Sequence, residues 1–537
     1  MRISCFTLQL MIFTAAVSAQ QPGIILNLNP STHAFPEGPI SSKPVQIVSF
    51  AGKLLFAADD GTHGSELWIS DGTSENTLLL KDINPGPTGS NISNFITFNG
   101  LLYFAADNGA AGKELWVSDG TEQGTHLVKD LRPGSGNSNP RNMAIAGGYL
   151  FFAATKSNGS PSLWQSDGTE SGTIETSPGL SFTQGPSQLT ELGGKLYFSG
   201  PDLELWVTDG TPSGTVRVKE ISPTSSNSYI NYMTALDGKI YFSAADDVSN
   251  KEPWVSDGTE SGTVKLKEID PDLFYGSDPW KFHLFKGKVY FSANSTLWRT
   301  DGTSAGTVLF KDITVFQASN DPGAFISNDE FLYFPANDGN NGFELWRSDG
   351  TPGGTAMVKN INTGSLSSAP EEFIFGSDNS LYFRAYTGNS DWELWKSDGS
   401  GPGTIRAADI RPGAEGAYPQ ALTWLNGELF FVADDGIHGR ELWKFNTTTG
   451  TNALVWSTAL CKALPNPAHD FLQISITPSN REVDRVLLLN AAGTIVYEST
   501  EIIKGVHTIP VTALPAGMYV AQVIAGPHTQ CVKVMIL

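Results

Sequence analysis

A tryptophan-centred motif occurs nine times in this chain of 537 residues. Each copy is a variant of Glu-Leu-Trp-x-x-Asp-Gly-Thr, and successive tryptophans stand 42 to 49 residues apart. A period of this length indicates one supersecondary unit, repeated because a single copy cannot bury its own apolar faces. The tryptophans are Trp68, Trp116, Trp164, Trp206, Trp254, Trp298, Trp346, Trp395 and Trp443.

Each unit contains four short apolar segments separated by turn residues, which predicts four β-strands. The pairs Asn99-Gly100, Asp237-Gly238 and Asn426-Gly427 accept the positive φ angles of a tight hairpin. Eight units carry Gly before the Thr that opens the fourth segment, and the first unit carries Asn76 there. We expect a left-handed backbone at this position, because Asn tolerates that conformation best after Gly.

Four strands in a unit of this length predict an all-β fold, a β-propeller of about nine four-stranded blades. Residues 24–455 have room for nine units. Two smaller propellers in tandem, or an open solenoid, are the alternatives, because propellers usually have four to eight blades. Two segments compete to complete the last blade and close the ring, residues 23–31 and residues 453–457.

The two ends of the chain predict export. Residues 1–19 have the charged start, apolar centre and small-residue end of a signal peptide cleaved after Ala19. No later segment has the ~18 apolar residues of a membrane helix. We assign residues 20–455 to the propeller, 456–462 to a linker and 463–537 to a second β-rich domain. The formal net charge of −21 argues against a nucleic-acid partner.

The second domain carries three ordered motifs and two cysteines. Cys461 and Cys531 flank this region, and an exported protein can join such a pair as a disulfide or keep two free thiols. The motifs are Pro465-Asn466-Pro467, Asn490-Ala-Ala-Gly493 and Leu514-Pro515-Ala-Gly517-Met-Tyr519. Together they resemble the type A sorting domain of the type IX secretion system of Bacteroidetes. The resemblance implies a small Ig-like β-sandwich, the type IX secretion machinery as a partner, and a secreted or outer-cell-surface location reached through the periplasm.

The nine units resemble the ELWxxDGT repeat proteins of the same bacteria. The resemblance covers about four fifths of the chain, and it implies no particular activity, because a repeat and not a reaction defines that family.

The acidic residues of the repeat are expected to be scaffold. An Asp on nearly every blade is typical of an Asx turn, in which the carboxylate accepts backbone N–H groups, whereas chemistry needs a few groups in one place. We extend this interpretation to the Glu of the motif. The residues are Asp71, Asp119, Asp167, Asp209, Asp257, Asp301, Asp349 and Asp398, with Glu66, Glu114, Glu204, Glu252, Glu344, Glu393 and Glu441.

The loop between the second and third strands varies in length among the units. We therefore predict that the face of the ring that carries these loops, opposite the Asp-Gly-Thr turns, is the binding face. The first and last copies of this loop would be neighbours in a closed ring, and they carry two Asp-Asp pairs and two histidines. A Ca²⁺ site is one hypothesis for them and solvated loop residues are the other, because the spacing of an EF-hand loop does not occur. The residues are Asp59, Asp60, His63, Asp434, Asp435 and His438.

No enzyme signature occurs in the sequence, and we predict no catalytic residues and no cofactor besides that Ca²⁺ hypothesis. We therefore expect a non-catalytic propeller that binds an extracellular glycan or surface protein, as in adhesion. A polysaccharide-active hydrolase or lyase is the alternative. Two stretches break the repeat and contain aromatic residues that could stack on sugar rings or fill space between blades, Asp270–Phe285 and Ala385–Trp392.

Overall fold

The computed structural model describes residues 22–29, 41–223, 227–246, 250–271, 276–315, 325–388, 391–446, 461–464, 470–476, 485–490, 495–499, 505–525 and 528–536. These residues form strands and turns without an α-helix, so none of them belongs to a helix that could cross a membrane. The chain separates into two compact units, Met1–Thr447 and Thr448–Leu537. Ala19, residues 453–457 and most of the linker lie outside the described residues, and the domain boundaries stay predictions.

The described residues of the first unit form 36 strands. They are β1 (Gly23–Leu26), β2 (Val45–Phe50), β3 (Lys53–Asp59), β4 (Ser65–Ser70), β5 (Leu78–Lys81), β6 (Ser93–Phe98), β7 (Leu101–Asp107), β8 (Lys113–Ser118), β9 (His126–Lys129), β10 (Arg141–Ala146), β11 (Tyr149–Thr155), β12 (Pro161–Ser166), β13 (Ile174–Glu175), β14 (Ser187–Leu192), β15 (Lys195–Ser199), β16 (Leu205–Thr208), β17 (Val216–Lys219), β18 (Asn231–Leu236), β19 (Lys239–Ala245), β20 (Lys251–Ser256), β21 (Val264–Lys265), β22 (Trp280–Phe285), β23 (Lys288–Ala293), β24 (Thr296–Thr300), β25 (Val308–Val315), β26 (Ile326–Ser327), β27 (Leu332–Asn337), β28 (Glu344–Ser348), β29 (Ala356–Lys359), β30 (Glu371–Phe375), β31 (Leu381–Thr387), β32 (Asp391–Ser397), β33 (Ile405–Ala408), β34 (Gln420–Leu425), β35 (Glu428–Asp434) and β36 (Arg440–Asn446).

These strands form nine antiparallel four-stranded blades, which confirms the predicted fold class. Blade one is β2 to β5, and each following blade takes the next four strands, up to blade eight with β30 to β33. Blades six and seven share one sheet, because the long β25 continues past its own blade and its end pairs with β27. The predicted hairpins have positive φ at both central residues, as Asn99 (50°) and Gly100 (76°) show.

The N-terminal strand completes blade nine. β1 pairs antiparallel with β36, so that Gly23 lies opposite Lys444 and Leu26 opposite Leu442. Of the two segments predicted to compete for this position, the N-terminal one therefore occupies it. One end of the chain thus supplies the fourth strand to a blade whose first three strands come more than 390 residues later.

Each blade packs on the next through a separate apolar core, and one such core joins blade nine to blade one. This closing core contains Ile25, Phe56, Trp68 and Phe430, all buried. Eight other cores join the remaining neighbours, from blades one and two to blades eight and nine. Nine cores for nine blades describe a closed ring, since an open solenoid leaves its terminal faces unpaired.

The innermost strand of each blade lies towards the middle of the ring, where β2 contacts both β6 and β34. Eight of these nine strands, all except the two-residue β26, share a β-bulge whose residue has positive φ, for example Gln46 (55°), Asn94 (62°) and Gln188 (57°). Several bulge side chains bridge to the next blade, and the Gln188 carboxamide oxygen accepts the Met233 N–H at 3.1 Å. The bulges therefore couple neighbouring blades around the central channel.

The second unit contains two antiparallel sheets. Their shared core includes Leu472 and Ile509 from one sheet and Val486, Tyr519 and Val534 from the other, which makes a β-sandwich. The three-stranded sheet has the order β37-β38-β41, and the four-stranded sheet has the order β40-β39-β42-β43. The strands are β37 (Cys461–Leu464), β38 (Phe471–Ile476), β39 (Arg485–Asn490), β40 (Ile495–Ser499), β41 (Gly505–Pro510), β42 (Gly517–Ala525) and β43 (His528–Ile536).

Candidate functional site

The Asp-Gly-Thr turns are structural caps, as the sequence predicts for this acidic residue. In blade two, Asp119 Oδ1 accepts the Thr121 N–H at 2.8 Å and the Thr121 hydroxyl at 2.7 Å. A pair of hydroxyls closes the same turn, with Ser118 Oγ and Thr125 Oγ1 2.7 Å apart. The Oδ1 of this exposed carboxylate is thereby engaged, and the hydrogen bonds from Thr121 hold the pKa of Asp119 below its ordinary value.

The glycine before the fourth strand corrects our prediction of a left-handed backbone. Gly124 and its counterparts do not have positive φ, but a Cβ on Gly124 would lie 2.0 Å from the Asp119 carboxylate. The same conflict, at 2.0–2.1 Å, occurs at the six counterparts in blades three to eight. In blade one, Asn76 takes the place of this glycine and donates its amide to Asp71 at 2.7 Å. The position therefore holds either Gly, which leaves space for the carboxylate, or a side chain that hydrogen-bonds to it.

We expect Gly124→Ala to destabilise the ring, because the new methyl group displaces the Asp119 cap. The expected loss is about 1–3 kcal/mol in the free energy of unfolding. Chemical denaturation measures it, with Gly353→Ala as the matched control, because a Cβ on Gly353 meets nothing within 4 Å. Equal stabilities of the two variants would contradict the spatial explanation.

The Glu of the motif forms a buried junction between consecutive blades. Glu114 accepts the Leu131 N–H at 2.9 Å and, at the start of the next blade, the Ser138 N–H at 3.0 Å and the Ser138 hydroxyl at 2.6 Å. Burial raises the pKa of Glu114 to about 7. In blade nine, Glu441 accepts the N–H groups of Leu28 and Ser42. The junction that closes the ring therefore has the same kind of hydrogen bonds as the others, although its residues come from the two ends of the ring's sequence.

The predicted Ca²⁺ ligands form hydrogen bonds within their own loops. Asp60 accepts the Thr62 N–H at 2.9 Å, and its other oxygen lies 2.7 Å from His63 Nδ1. The last copy repeats this geometry, with Asp435 2.6 Å from His438 Nδ1. Asp59 and Asp434 each accept the N–H of the residue two positions later, Gly61 and Gly436. A Ca²⁺ ion at these six residues stays a prediction.

Among the described residues, one place brings three acidic ligand atoms within 4.8 Å of one another, and it consists of Asp391, Glu393 and Asp409 instead of the predicted Ca²⁺ residues. Glu393 is one of the buried junction residues and accepts the Ile410 and Arg411 N–H groups. Arg406 lies 2.5 Å from Asp391 and 3.2 Å from Asp409. The guanidinium therefore already neutralises this cluster.

Aromatic rings collect beside this cluster, on the loop face, which is the end of the ring that carries the loops between second and third strands. Tyr386 and Trp392 have ring centroids 4.7 Å apart, and Trp392 lies 6.2 Å from Tyr418 on the way into blade nine. The guanidinium of Arg384 lies over the Trp392 ring at 5.1 Å. Tyr418 is exposed and the other two rings are half-buried. We call Arg384, Tyr386, Trp392 and Tyr418 the blade-eight platform.

The platform breaks the ninefold pattern of the ring. The position of Arg384 on the second strand holds only Ala, Ser, Pro or Val in the other eight units. In blade eight this position lies opposite the buried Leu394. Here Arg384 pairs with Glu371 at 3.0 Å, and both side chains are largely buried. Trp392 replaces Ser65 of unit one and Lys113 of unit two at the start of the third strand. The sequence pointed to Ala385–Trp392 but not to Tyr418 or Arg384.

A cavity of about 320 Å³ adjoins the platform where blade nine meets the N-terminal segment. Ser41, Lys43, Arg411, Asp434 and Arg440 line it. Arg440 also donates to Gln420 at 2.6 Å, two residues after Tyr418. Cationic, anionic and aromatic groups therefore meet in one region of the loop face.

The remaining predicted residues divide between core and undescribed segments. Six motif tryptophans are buried between blades, and Trp164, Trp206 and Trp298 are half-buried there. Of the other aromatic stretch, Trp280, Phe282 and Phe285 are buried, whereas Phe274 and Tyr275 lie outside the described residues. Tyr519 is buried and donates to the Pro515 carbonyl at 2.7 Å, just before Gly517. Outside the described residues lie Pro465, Asn466, Pro467 and Gly493, and the side chains of Cys461 and Cys531.

Residues 462–537 match the family model of the secretion system C-terminal sorting domain. This match indicates export to the cell surface or secretion, and handling by the type IX secretion machinery. No curated protein matches the chain.

Solved structures resemble it distantly. A puromycin hydrolase mutant is 12% identical, with a TM-score of 0.36 over 75% of this chain and 61% of the enzyme, so this chain spans about three fifths of that protein's length. PorZ, a surface component of the type IX secretion system of Porphyromonas gingivalis, is 10% identical, with a TM-score of 0.25 over 94% of this chain and 82% of PorZ. At such TM-scores neither likeness assigns an activity to this chain.

Proposed function

We propose that this exported protein is a non-catalytic binding propeller, and that the blade-eight platform holds a glycan. The observation that carries the proposal is the group of three neighbouring aromatic rings with a charged guanidinium over one of them. Aromatic faces pack against the C–H faces of sugar rings, and adjacent polar groups hydrogen-bond to sugar hydroxyls. Arg384, Glu371 and Gln420 are such polar groups beside the rings.

The charge of the chain favours a neutral glycan. The formal net charge is −21, which repels polyanions at low ionic strength. Of the four basic side chains near the platform, Arg384 pairs with Glu371 and Arg411 with Glu415, which limits their attraction for a polyanion. Adhesion to a neutral extracellular polysaccharide is the role that fits this surface.

Substitution with residues of sibling units tests the proposal. The variant Trp392→Ser with Tyr418→Asn places Ser in blade eight, as at Ser65 of unit one, and Asn before blade nine, as at Asn91 of unit two. On a glycan array, residues 20–537 are expected to bind neutral glycans, and the variant is expected to lose at least about tenfold in affinity, which corresponds to the contribution of one or two aromatic contacts. Leu78→Ala, at an exposed apolar residue on β5, is the control and should bind like the parent. Unchanged binding by the platform variant would refute the proposal.

A polysaccharide hydrolase or lyase is the second candidate, favoured by the convergence of Asp391, Glu393 and Asp409. Burial raises the pKa of Glu393 to about 7, as a general acid requires. Five junction glutamates share this pKa, however, and Glu393 is fully buried with its oxygens engaged by backbone N–H groups. A hydrolysis screen on the same glycans discriminates the candidates: product release that Asp409→Asn abolishes would establish the enzyme.

A further inference from the structure

Blade five carries a second group of aromatic residues near the channel. Tyr229 is 48% exposed and Tyr232 is 49% exposed, and Tyr232 lies 6.3 Å from the ring of Trp280. Among the described residues of the ring, Tyr229, Tyr232 and Tyr418 are the aromatic residues with the greatest exposure. Grouped exposed aromatic rings leave contiguous apolar surface in contact with water, and such surface is typical of an interaction site.

The three tyrosines occupy repeat positions that face the middle of the ring. Tyr229 and Tyr418 stand two residues before the first strand of their blades, at one equivalent position, with φ of 49° and 51°. Tyr232 stands at the bulge, with φ of 54°. Units two and three carry Asn at both of these positions, Asn91 and Asn94 in unit two.

All units described at these positions have a left-handed backbone there, and outside the three tyrosines its residues are polar or small, such as Gln46, Lys281 and Ala421. The backbone therefore does not require an aromatic side chain at these positions. A ligand that contacts the rings accounts for the three tyrosines.

We propose that Tyr229 and Tyr232 form a second glycan subsite, and that the ligand is an extended neutral polysaccharide that contacts blade five and the blade-eight platform together. In the ring of nine, three blades lie between blade five and blade nine on one side and four on the other, so Tyr229 and Tyr418 lie on opposite sides of the channel. A short oligosaccharide reaches one subsite, whereas a long chain reaches both and gains affinity through the second contact. This inference rests on the proposed function and adds the length of the ligand.

The test compares a polymer with its short fragments. Residues 20–537 are first tested by affinity electrophoresis and calorimetry against soluble neutral polysaccharides: laminarin, arabinoxylan, galactomannan and hydroxyethylcellulose. The trisaccharide fragment of the polymer that binds is then measured in the same way. The parent should bind the polymer at least tenfold more tightly per chain than the trisaccharide. The variant Tyr229→Asn with Tyr232→Asn should lose that advantage and still bind the trisaccharide through the platform. Both substitutions suit the left-handed backbone, and an unchanged melting temperature verifies the fold.

The outcomes separate the two proposals. Full polymer affinity in the blade-five variant, with loss in the Trp392→Ser, Tyr418→Asn variant, overturns the second subsite and leaves the proposed function standing. Equal affinity of the parent for polymer and trisaccharide overturns the proposal of an extended ligand and likewise leaves the proposed function standing. Polymer affinity unaffected by either variant overturns both proposals.

Discussion

Deletion of residues 22–28 should lower the melting temperature of the ring by about 10 °C. The deletion removes β1, so β36 loses its partner strand and the closing core loses the side chains of Ile25 and Leu28. Each buried aliphatic side chain contributes about 1.5–3 kcal/mol, and loss of the Leu28 N–H from Glu441 adds about 1 kcal/mol, which sums to much of the stability of an ordinary domain. Scanning calorimetry on residues 20–537 with and without this segment measures the difference.

Two point variants separate loss of closure from loss of chain length. Ile25→Asp places a carboxylate in the closing core and should reproduce most of the decrease, whereas Gly23→Ala should have no effect, since a Cβ there meets nothing within 4 Å. A deletion variant that melts with the parent would mean that another segment, such as residues 453–457, can complete blade nine.

The second large effect is a fall in stability as the pH rises from about 5 to 8. Burial raises the pKa of five junction glutamates to about 7, from an ordinary value of 4.5, and raises the pKa of Glu204 and Glu252 in the same direction. Between these values the folded ring binds more protons than the unfolded chain, so the free energy of unfolding decreases with pH. The Asp-Gly-Thr carboxylates act oppositely, because hydrogen bonds lower their pKa and their contribution disappears below about pH 4.

We therefore expect the highest melting temperature near pH 5 and a decrease of at least several degrees by pH 8. Scanning calorimetry from pH 3.5 to 8.5 measures the profile, and Glu114→Gln should flatten its upper part by removing one titrating group. A melting temperature that rises steadily from pH 5 to pH 8 would show that these glutamates are ionised in the folded ring.

The sequence period predicted the blades because the packing is periodic too. Trp68 and its counterparts recur where one blade meets the next, and Asn99-Gly100 supplies the hairpin backbone without help from distant residues. The strand that closes the ring could not be chosen, because the choice depends on bonds such as Glu441 to Ser42, across 399 residues. Our prediction of a left-handed backbone at Gly124 was wrong for a related reason. The preference for Gly at this position comes from a side chain five residues away and not from its own φ.

The platform was only partly predictable. The aromatic residues that interrupt the repeat indicated Ala385–Trp392 from the sequence. Tyr418, however, lies in the next unit and contacts Trp392 only because blades eight and nine pack together. Arg384 could have been found in the sequence, since one unit alone places a charged residue where its siblings bury Ala, Ser, Pro or Val. Comparison of the units position by position would have found it.

The pairing of Gly23 with Lys444 has a kinetic consequence. Blades one to eight can form from local contacts as the chain is made, but blade nine must wait for a strand from the opposite terminus. Insertion of that strand is expected to be the last and slowest event of folding, because it closes the longest loop. Until then β36 presents an open edge, and in concentrated refolding mixtures two chains can exchange their N-terminal strands and become trapped as a domain-swapped dimer.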